Sequence, residues 1–297
     1  MIQLMRQILL AAMVIMMLAA CGQSYKERQR LTRQERQRLK TEDSLALKIG
    51  VMPTLDCMPL YVAKECGLFD TLGVDVRLRH RNAQMDIDTA LIGGSIQGAV
   101  SDSVRVDRMR KRGTALTTIG RTATSWQLIT NRTARLKELS QLGDRMVAMT
   151  RYSATDYLTD YVLHNVKTQA TVYRVQINDV PLRLKMLLNN EMDALWLPEP
   201  QATTARLHKN VVLWDTEKQR QYLGVFAFRN KALSDKRIRK QIDVFLKAYN
   251  TACDSLNSRG LQHYGSLIEK HCGADKETIK ALPKVKFHPL SISSPQP

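Results

Sequence analysis

The chain reads as an α/β protein whose sheets are mostly parallel and covered by helices on both faces. Two features carry that reading. From residue 45 almost to the end, short period-two apolar runs alternate with helical stretches, the order that βαβ units impose. The segment 48–70, KIGVMPTLDCMPLYVAKECGLFD, shows the unit most clearly. Leu45, Leu47, Ile49 and Val51 alternate as a strand with one buried face, and Pro53 stops it. Met58 and Pro59 then open a helix, with Asp56 as its expected cap. Such a junction leaves backbone N–H groups pointing out of the carboxyl end of a sheet, where open α/β folds bind small ligands.

Taken in order, residues 1–20 hold a single charge, Arg6, and an uninterrupted apolar run over 8–18. That run is too short to cross a hydrocarbon layer of about 30 Å, so it reads as the apolar core of a signal peptide. Leu18, Ala19 and Ala20 followed by Cys21 and Gly22 resemble a bacterial lipobox. The resemblance implies cleavage before Cys21, lipid on that residue, and an exported, membrane-anchored protein facing the periplasm. Residues 21–44 are dominated by Lys26, Arg28, Arg30, Arg33, Arg36, Arg38 and Lys40 against four acids, and Leu31 and Leu39 alone make no apolar face. They form a solvated tether, either a plain spacer or a segment that lies on anionic headgroups at salt-dependent strength. The net charge of +17 admits nucleic acid or an anionic membrane as a partner, and an export signal excludes the nucleic acid.

The whole chain, 297 residues with 44% hydrophobic content, suffices for one large domain or two ordinary ones. After the first strand and helix, Val74, Val76 and Leu78 alternate as a second strand. Further strands are expected at 97–101, 115–121, 126–130, 145–150, 172–177, 193–197 and 211–214. Val180, Leu184, Leu187 and Leu188, and again Ile238, Ile242, Phe245, Leu246 and Tyr249, recur at helical spacing and mark core faces. The polar tail 283–297 is expected to be loose or draped over the surface.

Catalytic and metal motifs are absent. His80, His164, His208, His263, His271 and His288 are scattered, no cysteine cluster has zinc spacing, and Gly93, Gly94 and Gly98 make neither a dinucleotide fingerprint nor a phosphate loop. No metal and no cofactor is expected. Cys57 and Cys66 sit at opposite ends of one expected helix, about 13 Å apart at 1.5 Å per residue, too far to bridge. Cys253 and Cys272 flank a turn near Gly260 and could pair, while Cys253 equally continues an apolar helix face.

Gly67, Leu68 and Phe69 close the first helix before a strand, DTALIGGSIQGAVSD (88–102) follows, and EMDALWLPEPQA (191–202) comes later. In order and character these resemble the type II periplasmic solute-binding proteins that take up sulfonates, nitrate and pyrimidine precursors of thiamine. The resemblance implies two lobes joined by a hinge, lobe I from 45–128 and 215–297 and lobe II from 129–214. It also implies an ABC permease as partner, a monomer, and a small polar ligand held between the lobes.

Candidate ligand-binding residues stand at expected carboxyl ends of strands. They are Thr54 and Asp56, Ser101 and Asp102, and Arg121 with Thr122, Thr124, Ser125 and Trp126. Arg151, Tyr152, Ser153, Thr155 and Glu199 belong to the other lobe. The arginines suit an acidic group, and Glu199, the acid of the family's "eP" turn, suits an amino or ring N–H donor. An amino-bearing heterocycle therefore ranks above an aliphatic sulfonate and that above nitrate. Two alternatives share the fold: a pyrimidine synthase using pyridoxal phosphate, whose cysteine-rich motif is not matched by the dispersed cysteines, and a solute sensor or scaffold lipoprotein.

Overall fold

A computed structural model describes residues 25–164 and 166–292. The signal segment and Cys21 lie outside the described residues. The chain divides into two compact units, one ending at Ala46 and one beginning at Leu47. The described part of the first contains the helix Tyr25–Leu45. Its residues 33–41 are exposed, and Arg38 reaches Glu42 one turn on at 2.7 Å.

The second unit holds two five-stranded sheets, the two lobes of a periplasmic-binding-protein-like α/β fold. The first is built from β1 (Leu47–Val51), β2 (Val76–His80), β3 (Gly98–Asp102) and β4 (Leu116–Arg121). The second contains β5 (Trp126–Thr130), β6 (Met146–Met149), β7 (Tyr173–Gln176), β8 (Ala194–Pro198) and β9 (Val211–Asp215), and β10 (Gly224–Arg229) returns to the first. The orders are β2-β1-β3-β10-β4 and β7-β6-β8-β5-β9.

The sheets are mostly parallel, as expected, with one reversed strand in each: four of the five strands run the same way. β1 runs parallel to β2 and β3, and β6 to β7 and β8. β10 opposes both β3 and β4, and β5 opposes both β8 and β9. The physical reason is the connection. A helical crossover within one sheet brings the chain back parallel, whereas β5 and β10 enter their sheets directly from the other sheet. β10 also escapes the sequence reading, although Val225, Phe226, Ala227 and Phe228 form a short buried run.

The first lobe's core centres on the helix Lys236–Arg259. Phe245 lies with its ring 5.7 Å from Phe69, 5.7 Å from Phe226 and 5.9 Å from Phe228, all four fully buried. Removing such a ring typically costs 3–5 kcal/mol. The second lobe has a smaller core on each sheet face, one around Trp196 and Leu158, the other around Leu195 and Leu197. Gly67 ends the helix Met58–Glu65 at φ +69°, a left-handed position that disfavours any side chain.

Two local alternatives left open by the sequence are decided. Over its described residues, 283–292, the tail is draped and fastened rather than loose: Asn250 and Asn257, two turns apart on the long helix, each bond the backbone N–H and C=O of one tail residue, Leu290 and Phe287. Both of those side chains are buried. The four described cysteines are unpaired, and Cys253 Sγ donates to the His288 carbonyl at 3.6 Å.

Candidate functional site

The carboxyl ends of β1, β3, β6 and β8 face one another across a cavity between the sheets. The lobes meet around it through backbone groups. Leu55 N–H donates to the Glu199 carbonyl at 2.9 Å, Val180 N–H to that of Asn82 at 3.1 Å, and Ala83 and Asp179 form an isolated bridge. Free space inside is about 50 Å³, room for a few waters, so the cleft is nearly shut.

From β1 and the turn after it come Met52, Thr54 and Asp56. Asp56 does not cap the following helix, because it lies one residue before the N-cap position, Cys57, inside the 3-10 turn Leu55–Cys57. Its carboxylate accepts instead from Thr54 Oγ1 at 2.5 Å and from Thr124 Oγ1 of the β4-to-β5 crossover. Burial raises its pKa, with the two hydroxyls opposing.

From β3 come Val100, Ser101 and Asp102. Asp102 Oδ1 accepts from Arg105 N–H at 3.0 Å, capping its own helix, and from Ala154 N–H of the opposite lobe at 3.1 Å. One carboxylate thus holds two helix N-termini, a favourable place for negative charge. Burial outweighs this and pushes its pKa up to about 6.

The opposite wall is built by Thr150, Ser153 and Thr155, tied together by Thr155 Oγ1 accepting from Thr150 N–H at 3.0 Å and by Ser153 Oγ donating to Thr150 O at 2.6 Å. Trp126, Pro198, Asn178 and Val180 complete it, with Arg183. Arg183 is 3% exposed. It donates to the carbonyls of Ile177 at 2.6 Å and Trp196 at 3.1 Å, and to Thr150 Oγ1. These use three of a guanidinium's five N–H donors, and no carboxylate pairs with it among the described residues. Burial first, then the nearby Arg105, lowers its pKa to about 10.

Of the residues singled out from sequence, Thr54, Asp56, Ser101, Asp102, Thr124, Trp126, Ser153 and Thr155 line this cavity. Six others lie elsewhere. Arg121, Thr122, Ser125 and Glu199 line a separate cavity beside the two chain crossovers. Glu199 is turned away because Thr203 N–H and Oγ1, at 2.9 and 2.7 Å, and Arg206, at 2.9 Å, take up both its oxygens. Arg151 and Tyr152 line neither cavity; Tyr152 is exposed, with Arg108 over its ring.

Arg183 was missed because it sits inside a helix assigned wholly to the core. Its signal was there: with Val180 and Leu187 it falls at i, i+3 and i+7, a charge on the buried stripe. Among the described residues no group of three or more His, Cys, Asp or Glu is placed to hold a metal. Burial pushes the Cys57, Cys253 and Cys272 thiols up, Cys253 to about 12, which suppresses the thiolate that nucleophilic or ligating cysteines need.

Solved structures share this fold. A ligand-binding component of an ABC-type import system from Staphylococcus aureus, with zinc bound, matches with a TM-score of 0.67 at 15% identity, over 84% of this chain and 87% of its own. The alkanesulfonate-binding protein SsuA from Xanthomonas axonopodis, bound to MOPS, matches at 0.67 and 15%, over 83% and 87%. The periplasmic nitrate-binding protein NrtA from Synechocystis matches at 0.68 and 16%, over 78% and 68%. No curated protein sequence matches the chain. The model of the NMT1/THI5-like family matches residues 54–256, more than half of the chain, and the protein belongs to that family.

Proposed function

We propose that the protein is the solute-binding component of an ABC uptake system, exported and anchored through lipid on Cys21, which captures a small polar ligand between its lobes and delivers it to a permease. The ligand carries an acidic group and an amino or ring N–H donor. The observation behind this is the polarity of the cleft: a buried guanidinium without a counterion, Arg183, on one wall, and two buried carboxylates, Asp56 and Asp102, on the other. A buried charge is costly unless paired. A ligand that brings an anion to Arg183 supplies its missing counterion, a donor to Asp56 or Asp102 adds to the hydroxyl and amide donors they already hold, and each charged hydrogen bond contributes about 1.5–3 kcal/mol.

The ranking of an amino-bearing heterocycle over a sulfonate and over nitrate is kept, with Arg183, Asp56 and Asp102 now in the roles assigned from sequence to Arg121, Arg151 and Glu199. Because the cleft is nearly shut, a ring enters only when the lobes part. Ligand that contacts both walls then favours the closed form by its differential affinity, and closure is what the permease reads. Binding rather than chemistry is favoured by the elevated thiols and by a site built from hydroxyls, carboxylates and one guanidinium.

Mass spectrometry of small molecules retained by the purified protein identifies the ligand. Calorimetry then compares it with an analogue lacking the acidic group. Arg183→Gln is expected to weaken the parent about 10- to 100-fold, the loss of one charged hydrogen bond, and the analogue little. Equal losses for both remove Arg183 from the site.

A further inference from the structure

The sequence places Arg121 in the ligand cleft; the fold puts it in the other cavity. That cavity has a volume of about 380 Å³ and is walled by both chain crossovers between the sheets and by the tail at 283–288. Its charges are unbalanced. Arg121, Lys218, Lys284 and Lys286 all line it, and none has an acidic partner among the described residues.

Of the three acids on the same wall, Glu199 is held by Arg206 and Thr203. Asp215 accepts from Gln127 Nε2 at 2.7 Å and from Glu217 N–H at 2.8 Å. Those donors are neutral and leave its charge in place, so Asp215 and Glu217 together face four cations, an excess of two positive charges. The cluster is also held in place. The Arg121 guanidinium lies 4.6 Å over the Tyr222 ring, and the tail is fixed by the two asparagine clamps.

His288 reports on this field. Its Nε2 lies 3.4 Å from Arg121 Nη2. Desolvation, then Arg121 and Lys286, hold its pKa below the usual histidine range, with only Glu217 opposing. A concave surface ringed by like charges concentrates counter-ions of the opposite sign, and an arginine with lysines is the donor set that takes phosphate-like groups.

We propose that this hinge-side cavity is a second binding site, separate from the interlobe cleft, for a small oxyanion of two or more charges, of the phosphate or sulfate class. Because both crossovers line it, its occupant contacts the segments about which the lobes move.

The test is NMR of the histidine ring protons of the full chain, titrated with inorganic pyrophosphate against sodium chloride at matched ionic strength. His288→Gln assigns the signal. Pyrophosphate is expected to shift the His288 resonance saturably and to raise its titration midpoint by roughly half to one unit. Lys284→Gln with Lys286→Gln abolishes the effect, while Arg183→Gln in the cleft leaves it intact. The proposal is overturned if sodium chloride produces the same shift, if the shift survives the double lysine change, or if it disappears in Arg183→Gln. The last outcome would place the anion in the cleft.

Discussion

Asp102→Asn isolates the electrostatic cost of closing the cleft. Asp102 Oδ1 accepts two backbone N–H bonds, one from each lobe, and an asparagine oxygen keeps both, so the change removes charge with little loss of geometry. Burial moves this carboxyl from 3.8 to about 6. A carboxyl whose pKa is raised on folding holds a proton that the unfolded chain has already released between those two values. Its contribution to stability is therefore full below pH 3.8, falls as pH rises toward 6, and stays low above that.

The difference of about 2.2 units corresponds to on the order of 3 kcal/mol at 1.36 kcal/mol per unit. Asparagine does not titrate. Urea unfolding of both proteins from pH 4 to 7.5 should show the variant gaining on the wild type by up to that amount up to pH 6 and then levelling. Parting of the lobes re-solvates Asp102 without unfolding, so X-ray scattering follows the same interval, with the wild type expanding and the variant not. A difference that stays constant from pH 4 to 7 in both measurements refutes the reasoning.

Cys21→Ser should leave the 45–283 module folded yet release it from membranes, and a variant that still sediments with membranes after a high-salt wash rules out lipid as the anchor, salt being needed because the basic tether binds by charge. Asn250→Ala with Asn257→Ala removes four hydrogen bonds to the tail; a loss of about 2–4 kcal/mol in denaturant unfolding is expected, and proteolysis after residue 282 that is no faster than in wild type contradicts the clamp. Glu199→Gln should lower stability through the pair with Arg206 and leave ligand discrimination unchanged; calorimetry showing selective loss of an amino-bearing ligand would restore Glu199 to the site. Saturating ligand should shrink the scattering radius and raise the melting temperature, and tight binding with an unchanged profile counts against hinge closure.

What the sequence determined by itself was local. Period-two runs located nine strands, because alternation follows from one buried face, and the Gly67 turn and the strand-end polar residues were visible because backbone rules act over a few residues. Eight of the singled-out residues line the cleft for that same reason: each follows the carboxyl end of a strand or, like Thr124 and Trp126, lies in the crossover between the sheets or opens the strand after it. The tertiary structure decided the rest. Strand direction in β5 and β10 depends on which sheet the chain has just left. Whether Glu199 is free or held depends on Arg206, a residue brought to it by the helix Gln201–Leu207. Arg121 and Arg183 are indistinguishable as letters; one faces a cation-rich cavity at the crossovers and the other is sealed into the cleft without a counterion. A charge acquires its role from its neighbours and its solvent, and both are set by contacts between segments far apart in the chain.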